Sequence, residues 1–374
     1  MKINNAKNYS ESQINETLRL QNGVRKVSFR YELLNKNDIK IGELDGITHA
    51  SVSYGEFRTI KRSAIFDINE HQQRQINYLS DRIQPWFILH MPLGGVVEWP
   101  LGLFLLESPT RNVTGSVSTR RIGAYDKTII VEQDKFTHGF FVEKDTNYIT
   151  AVTRILNTAG ITKINITPTS HTLPNDREYR LGTKKHLAIN ELLREINYNS
   201  LWFDEYGIAI SSPYITPARR EISQTYDTTR HSIVTPLLTE HLDIATRPNV
   251  FIRVALNLED EKELMSIFVN DNPQSPISTI SRGRHIVDYQ QIEHITDQQM
   301  LDEFTRRVAI EATTAYTHLS FGTALMPTHG NSETLLCIFP QIFDSPLKFH
   351  QTSWDMPLVF DGIMRHEARR VVRI

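Results

Sequence analysis

The chain has 374 residues, 40% of them apolar and 22% charged, which is the composition of an ordinary soluble globular protein with room for two to four domains that each bury a core. A formal net charge of −2 excludes a general attraction for nucleic acid or anionic membrane. A single cysteine, Cys337, excludes an internal disulfide, no run approaches the roughly 20 apolar residues of a membrane span, and Met1 to Ser10 lacks the apolar centre of a secretory signal.

Residues 1 to about 22 are polar and rich in Asn, Gln and Glu, which predicts a short arm or helix. From Val27 the side chains alternate, with Val27, Phe29, Tyr31 and Leu33 on one strand face, a polar turn at Asn35–Asp38, and a return strand from Ile39. Extended chain is predicted again near Thr59 to Ile68, where Ala64, Phe66 and Ile68 share a side. Trp86 to Met91 reads as a strand, Pro92 to Gly95 as a turn, and Val96 onward as a return strand; Pro100 and Gly102 argue against a long helix there. A further strand pair is predicted between Val113 and Ile130, so residues 24–130 read as a small barrel or sandwich.

The period changes near Asp145. Tyr148, Ile149, Val152, Ile155, Leu156 and Ala159 fall at helical spacing, with Gly160 as C-terminal cap. Ile161 to Ile166 reads as a strand, Ile189 to Ile196 as a second helix, and Ser200 to Ile210 as a hairpin around Asp204–Gly207. Pro213 to about His231 suggests a linker, Asn249 to Ala255 a strand, and Asn270 to Pro276 a turn-rich loop. A helix follows, with Thr296 and Gln299 as a capping box and Met300, Leu301, Phe304, Val308, Ala312 and Ala315 on one face. Strands are expected at His318–Leu325 and Thr334–Phe339, and Arg365, Arg369, Arg370 and Arg373 make the C-terminal stretch basic.

Chemical motifs are scarce. There is no His-Glu-x-x-His and no Cys-x-x-Cys; His366-Glu367 and Glu293-His294 are adjacent pairs without ligand spacing, so no metal and no cofactor is expected. Cys337 with His350 or His329 as base would make a thiol nucleophile, but Leu335 to Phe339 is an apolar strand in which a cysteine packs as a small hydrophobe. Asp67, Asp204 and Glu205 are carboxylates that a glycosidase could use, and the turn explains the latter two without chemistry. Gly94-Gly95 suits a hairpin better than a phosphate cradle, and Ser281-Arg-Gly-Arg284 is a compact basic motif able to grip an anionic group on a partner. Trp86, Trp99, Trp202 and Trp354 sit in strand-like context, where core packing is the default and an interface anchor or sugar platform the sharper alternative.

Several strings in order carry a resemblance: Tyr78-Leu-Ser-Asp-Arg-Ile-Gln-Pro-Trp86, Glu98-Trp-Pro-Leu-Gly-Leu-Phe-Leu-Leu106, Asp145-Thr-Asn-Tyr-Ile-Thr150, Asn197-Tyr-Asn-Ser-Leu-Trp-Phe-Asp204, Pro248-Asn-Val-Phe-Ile-Arg-Val254, Asn270 to Pro276 and Ser281 to Arg284. Over about 22 to 340 the chain resembles the tail-tip or baseplate hub proteins of phages of Gram-positive hosts, the N-terminal structural part of tail-associated lysin and prophage tail proteins. The resemblance implies a β-rich α+β fold: two small β-barrel domains with two attached α+β domains. On this chain they would be an arm at 1–23, a first barrel at 24–135, an α+β insert at 136–215, a second barrel from 216–290 with 340–374, and an α+β domain at 291–339. It implies a non-enzymatic homotrimer at the virion tail tip, assembled in the host cytoplasm. The trimer would close the tail tube and open for genome delivery, its two barrels per subunit matching a hexameric distal ring. Implied partners are that ring protein, the tape measure protein and a separate receptor-binding or wall-degrading tip protein; sequence-specific nucleic acid binding is not expected. Many relatives continue into a peptidoglycan-cleaving or fibre region, so a tail-associated wall-degrading enzyme is the alternative; the chain's end at Ile374 suggests a separate tip protein or a truncated chain. Candidate interface residues are Trp86, Trp99, Arg282, Arg284, Arg365, Arg369 and Arg370.

Overall fold

The structure is a computed structural model that describes residues 9–19, 25–70, 76–115, 117–229, 232–242, 245–257, 262–292, 295, 297–314 and 317–371. The helix of the N-terminal stretch is α1 (Glu11–Leu18). The Ser10 hydroxyl accepts from Gln13 N and the Gln13 amide oxygen from Ser10 N, a reciprocal cap, and Ile14 and Leu18 are buried in the largest core. The strands β1 (Lys26–Leu34), β2 (Lys40–Glu43), β3 (Ile47–Gly55), β4 (Arg62–Asn69), β5 (Arg82–His90), β6 (Val96–Pro100), β7 (Phe104–Leu106), β8 (Thr110–Thr114) and β9 (Val117–Tyr125) form the first β half. The alternation at Val27 to Leu33 and the Trp86 hairpin are there as the sequence predicts, β1 pairing β5 and β5 pairing β6. Extended chain stops at Tyr125: residues Thr128–Gln133, within the stretch predicted as strand, make the helix α2.

The insert follows: β10 (Phe140–Val142), α3 (Tyr148–Thr158), β11 (Ile164–Ile166), β12 (Arg177–Tyr179), α4 (Lys185–Glu195), β13 (Trp202–Phe203) and β14 (Ala209–Ser211). Asn147 caps α3 through its side chain, Gly160 ends it at φ 78°, and α3 and α4 pack their apolar faces into a core of their own.

The remaining elements are β15 (Gln224–Asp227), β16 (Val234–Leu242), β17 (Val250–Asn257), β18 (Lys262–Val269), α5 (Thr279–Arg282), β19 (Val287–Ile292), α6 (Gln298–Thr314), β20 (Thr317–Ala324), β21 (Thr334–Ile338), β22 (Leu347–Pro357) and β23 (Ile363–Arg370). Strands β18, β17 and β19 form a separate sheet under α6, through Ala255, Leu264, Ile292, Leu301 and Phe304. Thr296 and Ala315 lie outside the described residues, as do Glu293 and His294; the side chain that caps α6 is Asp297, which accepts from Met300 N at 2.9 Å.

Two features differ from the sequence expectation. The strand pairing draws the last boundary elsewhere: residues 250–292 belong with α6, whereas β20 and β21 pair into the large sheet because their inward faces (Leu319, Phe321, Leu335 and Cys337) are needed in its core. No closed barrel is present among the described residues. The two β halves share one sheet in the order β16-β20-β23-β22-β3-β4-β9-β7-β5-β1-β2, joined where the long β22 runs past β21 and pairs antiparallel with β3. The fold is β-rich α+β.

Candidate functional site

The joint between β22 and β3 lies between two strand sets built alike. In the first half β3, β4, β9 and β8 are neighbours in that order, all antiparallel, with β8 and β9 forming a hairpin. In the second half β16, β20, β23 and β22 repeat the same neighbour order, orientation and chain order. β3 and β16 are nine residues each, β4 and β20 eight each, and both β3 and β16 carry an irregularity near their start. Placing Ser63 on His318 brings Ala64, Phe66 and Ile68 onto Leu319, Phe321 and Thr323, and Ile122 and Ala124 onto His366 and Ala368, so the buried faces coincide. The eight strands therefore read β16-β20-β23-β22-β3-β4-β9-β8, a duplicated ribbon whose two outer edges, β16 and β8, have no strand paired along their outer sides among the described residues. Every residue of β8 is exposed, as is most of β16, with Val113 at 63% and Leu237 at 77%. Long exposed edges are rare in proteins that stay single, because their free N–H and C=O groups template another strand.

The register adds geometry. A row from Asp355 crosses Ser53 and Ser63 to Tyr125, yet the duplicate of Asp355, which is Thr110, lies opposite Arg121. The row slips four residues on β9 per four-strand repeat. That is about 13 Å of rise against about 19 Å of sheet, a strand tilt of about 35°. Closed barrels tilt their strands by this amount.

The core of the second half is wired differently from that of the first. Tyr226 Oη donates to His329 Nε2 (2.5 Å), His329 Nδ1 to Gln351 Oε1 (2.8 Å), Gln351 Nε2 to His366 Nδ1 (2.7 Å), and His366 Nε2 to Thr323 Oγ1 (2.8 Å), which donates to Ala324 O. In this direction every donor meets an acceptor, and Glu333 Oε2, 2.9 Å from His329 Nδ1, also demands a proton there. Burial, and then His329, hold the His366 imidazole well below its usual range. Where the first half has Ile122 and Ile68, the second has His366 and Thr323.

The candidate residues from the sequence do not gather in one place. Trp99 is 1% exposed and packs edge-on against Phe87 at 5.8 Å in the core, whereas Trp86, on the opposite face of β5, is buried under the Arg30 guanidinium at 5.1 Å. Trp202 is half-buried on β13 and Trp354 is in the core. Arg282 is half-buried and donates to Arg247 O at 2.6 Å, while Arg284 is exposed beside it. Arg365 is exposed on the outward face of β23, Arg369 lies over the Phe57 ring at 4.4 Å, and Arg370 is half-buried; Arg373 lies outside the described residues. The chemical candidates are accounted for structurally. Cys337 is buried and its thiol is pushed up by burial. Asp204 accepts from Tyr206 N and Ile208 N, Glu205 pairs with Arg62 at 3.1 Å, and Asp67 faces Arg121 at 3.4 Å. His350 pairs with Glu56; burial would raise that carboxyl, but the imidazole and the Ser332 hydroxyl bring it down to about 2. Glu56 borders a cleft of about 310 Å³ where the first half (Lys61), the insert (His186, Asn190) and α6 (Arg307, Glu311) meet. Among the described residues no group of three or more His, Cys, Asp or Glu could hold a metal. The duplicated ribbon and its free edges were not found from the sequence; beyond alternation the paired positions share few residues, among them Phe66 with Phe321, Arg121 with Arg365 and Ala124 with Ala368.

No protein-family model and no curated protein matches the chain by sequence. Solved structures do match its fold. A tail protein from Neisseria meningitidis MC58 aligns over 92% of this chain and 96% of its own at 9% identity, with a TM-score of 0.66. The 43 kDa tail protein of prophage MuSo2 from Shewanella oneidensis aligns over 92% and 98% at 11% identity, TM-score 0.63. Prophage tail protein gp18 from Listeria monocytogenes EGD-e aligns over 91% and 94% at 10% identity, TM-score 0.54. The chain has the fold of these tail proteins over nearly its whole length.

Proposed function

We propose that the chain is a structural hub of a phage tail tip, a homotrimer that closes the distal end of the tail tube and joins it to the adsorption apparatus. The observation that carries this reading is the duplicated ribbon with two free edges. Three chains contribute six alike strand sets, and the joint β22–β3 within a chain is repeated between chains if β8 of one copy pairs with β16 of the next. Carrying the β22–β3 register through both alignments sets Thr110 opposite His241, Arg111 opposite Glu240, Asn112 opposite Thr239 and Val113 opposite Leu238. An opposite-charge pair and an apolar pair thus fall on the same face, as cross-strand pairing favours. The barrel-like tilt supports closure of such a ring. The outward face of the ribbon, with His49, Ser51, Ser53, Ser63, Arg121, Ser320, Arg365 and Glu367 beside the exposed Ile65 and Ile363, is mostly polar, which supports a water-filled channel.

In this reading the ring belongs to the virion, opens for genome delivery, and meets a hexameric ring protein, the tape measure protein and a separate receptor-binding or wall-degrading tip protein. A Gram-positive host is supported by the sequence strings. The candidate arginines Arg365, Arg369 and Arg370 lie on a strand of the ribbon, and Arg282 and Arg284 on the outer α+β unit, where a tip protein could reach them. Native mass spectrometry should give three copies. Asn112→Cys with Thr239→Cys should cross-link between chains on mild oxidation, up to a covalent trimer. A stable monomer at assembly concentrations, with no cross-link, would overturn the reading.

A further inference from the structure

The β17–α6 unit has two unlike faces. Side chains alternate along its strands, and one set, with Ala255, Leu264 and Ile292, packs under α6 against Leu301 and Phe304. The other set points away from α6. Its cross-strand rows are Val269–Val250–Val287, Ile267–Ile252–Tyr289 and Met265–Val254–Gln291, in which Gln291 is the polar member. Val250 and Val254 on the central strand are buried, but the flanking strands leave Met265, Ile267 (53%), Val269, Val287 and Tyr289 (57%) open to solvent. β17 and β19 run parallel, and parallel pairs are ordinarily covered on both faces by strands that read as near-continuous apolar runs. Val250-Phe-Ile-Arg-Val-Ala-Leu256 and Leu264-Met-Ser-Ile-Phe-Val269 are such runs, each broken by one polar residue. The helix α6 covers one face; an apolar face left open on the other side marks a contact surface.

The two ends of this open face differ in charge. Arg284 and His285, both exposed, lead into β19 directly before Val287, and the Arg284 carbonyl accepts from Asn249 Nδ2 at 3.0 Å, which fixes them at the Val250 end. Arg282 beside them donates to Arg247 O, its Nη2 is buried without a hydrogen bond, and burial and then the Arg284 charge lower its pKa. Asp271, past the end of β18, offsets one of these charges and leaves an excess of cation. A cleft of about 600 Å³ lined by Ile280, Gly283, Arg284 and His285 opens beside them. The opposite end carries the exposed Glu263, on the same side of β18 as Met265.

We infer that the open face of the β18-β17-β19 sheet docks an amphipathic helix of a partner protein, its apolar stripe over the three rows and its acidic end at Arg284. Charge selects this occupant: uncompensated arginines at one end call for carboxylates there, and Glu263 repels them at the other. From Glu263 to Val269 the face runs about 20 Å, which about 13 residues of helix span. A helix so placed gives the sheet the second cover that its sequence is written for, by the helix-on-apolar-surface mode of recognition. The face belongs to one chain alone, so the inference stands or falls apart from the trimeric reading.

The probe is a soluble helical peptide of about 16 residues with a leucine stripe, glutamates in its first turn and glutamines elsewhere; fluorescence anisotropy reads its binding to the full chain. Lysines in place of the glutamates, or leucines scattered off the stripe, should weaken binding about tenfold or more. Ile267→Ser with Tyr289→Ser should weaken it as much while circular dichroism and the thermal transition stay those of the folded chain. Should that pair unfold the unit, Met265→Gln with Val287→Thr takes its place. Arg284→Glu should reverse the preference toward the lysine peptide, and Leu79→Ser, on the first β half, should bind like wild type. No binding of the glutamate peptide, equal binding of the lysine peptide, or binding untouched by a folded face variant would overturn the inference. So would two other occupants. One is a second copy, shown by an oligomer in native mass spectrometry that the folded face variant loses. The other is a membrane, shown by phosphatidylglycerol vesicles that sediment with wild type and not with the variant.

Discussion

The buried imidazole chain makes the second β half sensitive to acid in a way the first half is not. His366 is 1% exposed, and its Nδ1 accepts from Gln351 while its Nε2 donates to Thr323. Adding a proton at Nδ1 sets it against the Gln351 amide N–H; flipping that amide only moves the clash to His329 Nδ1. The folded pKa is depressed from 6.5, so below that value the unfolded or locally open state binds more protons. The stabilisation is complete above pH 6.5 and is lost as pH falls below it, by at most about 1.4 kcal/mol per unit. Groups around the chain are Tyr226, Glu333, Cys337 and His329, with Arg19 stacked over Tyr226. Of these, Glu333 is itself held below 4.5, where burial is outweighed by His329 together with hydrogen bonds from Gly330 N and the Ser223 hydroxyl, so its contribution is lost only at lower pH. Hydrogen exchange of the β22 and β23 amides, corrected for intrinsic pH dependence, reads the local opening. Replacing His366 with leucine, an aliphatic residue like its counterpart Ile122, strands the Gln351 amide and should cost about 1–3 kcal/mol at pH 8. It should also flatten the pH dependence, so that variant and wild type converge near pH 5. A flat wild-type profile, or an unchanged slope in His366→Leu, would refute the reasoning.

Three other outcomes are expected. Arg62, 3% exposed, ties β4 to the insert through Glu205 at 3.1 Å, and Arg62→Ala should cost about 3–5 kcal/mol in chemical denaturation, because it leaves a mostly buried carboxylate alone. Trp99→Ala should destabilise by about 3–5 kcal/mol, whereas an interface role would leave the isolated chain's stability nearly unchanged. Arg111→Glu or Glu240→Arg alone should weaken the trimer about tenfold or more in sedimentation, and the exchanged pair should restore most of the loss; equal weakening by the double variant would remove the proposed register.

Much of the local fold was legible because its signals are local. Alternation at Val27 to Leu33, the turn at Pro92–Gly95 and the helical spacing at Tyr148 to Ala159 each need only near neighbours in sequence, and each is present. The assignment of β20 and β21 was not legible, since their side of the boundary depends on pairing with β23, β22 and β15, which neither strand's own residues declare. The tryptophans were readable as core by default, but the sharper reading as anchors needed knowledge of which way β5 and β6 face. The strand pair expected between Val113 and Ile130 overruns into α2 at its end, where the Asp126 carboxylate, accepting from Thr128 N at 2.8 Å, turns the chain into a helix.

The duplicated ribbon shows why fold likeness reaches nearly the whole chain while sequence likeness to the solved tail proteins stays at 9–11%. Within this one chain, two strand sets keep order, orientation and register, yet one core is filled with Phe66, Ile68 and Ile122 and the other with Phe321, Thr323 and His366. What is kept is backbone: edge N–H and C=O groups, a bulge position and a tilt. A joint made by strand pairing asks for those features and leaves side chains free to diverge, provided that each core is filled and each buried polar group is satisfied. The second core carries a polar chain from Tyr226 to Thr323 in which every link must be in place, where the first has Ile68 and Ile122. Of the two halves that meet at β22 and β3, the second is therefore the one that a change of protonation can loosen.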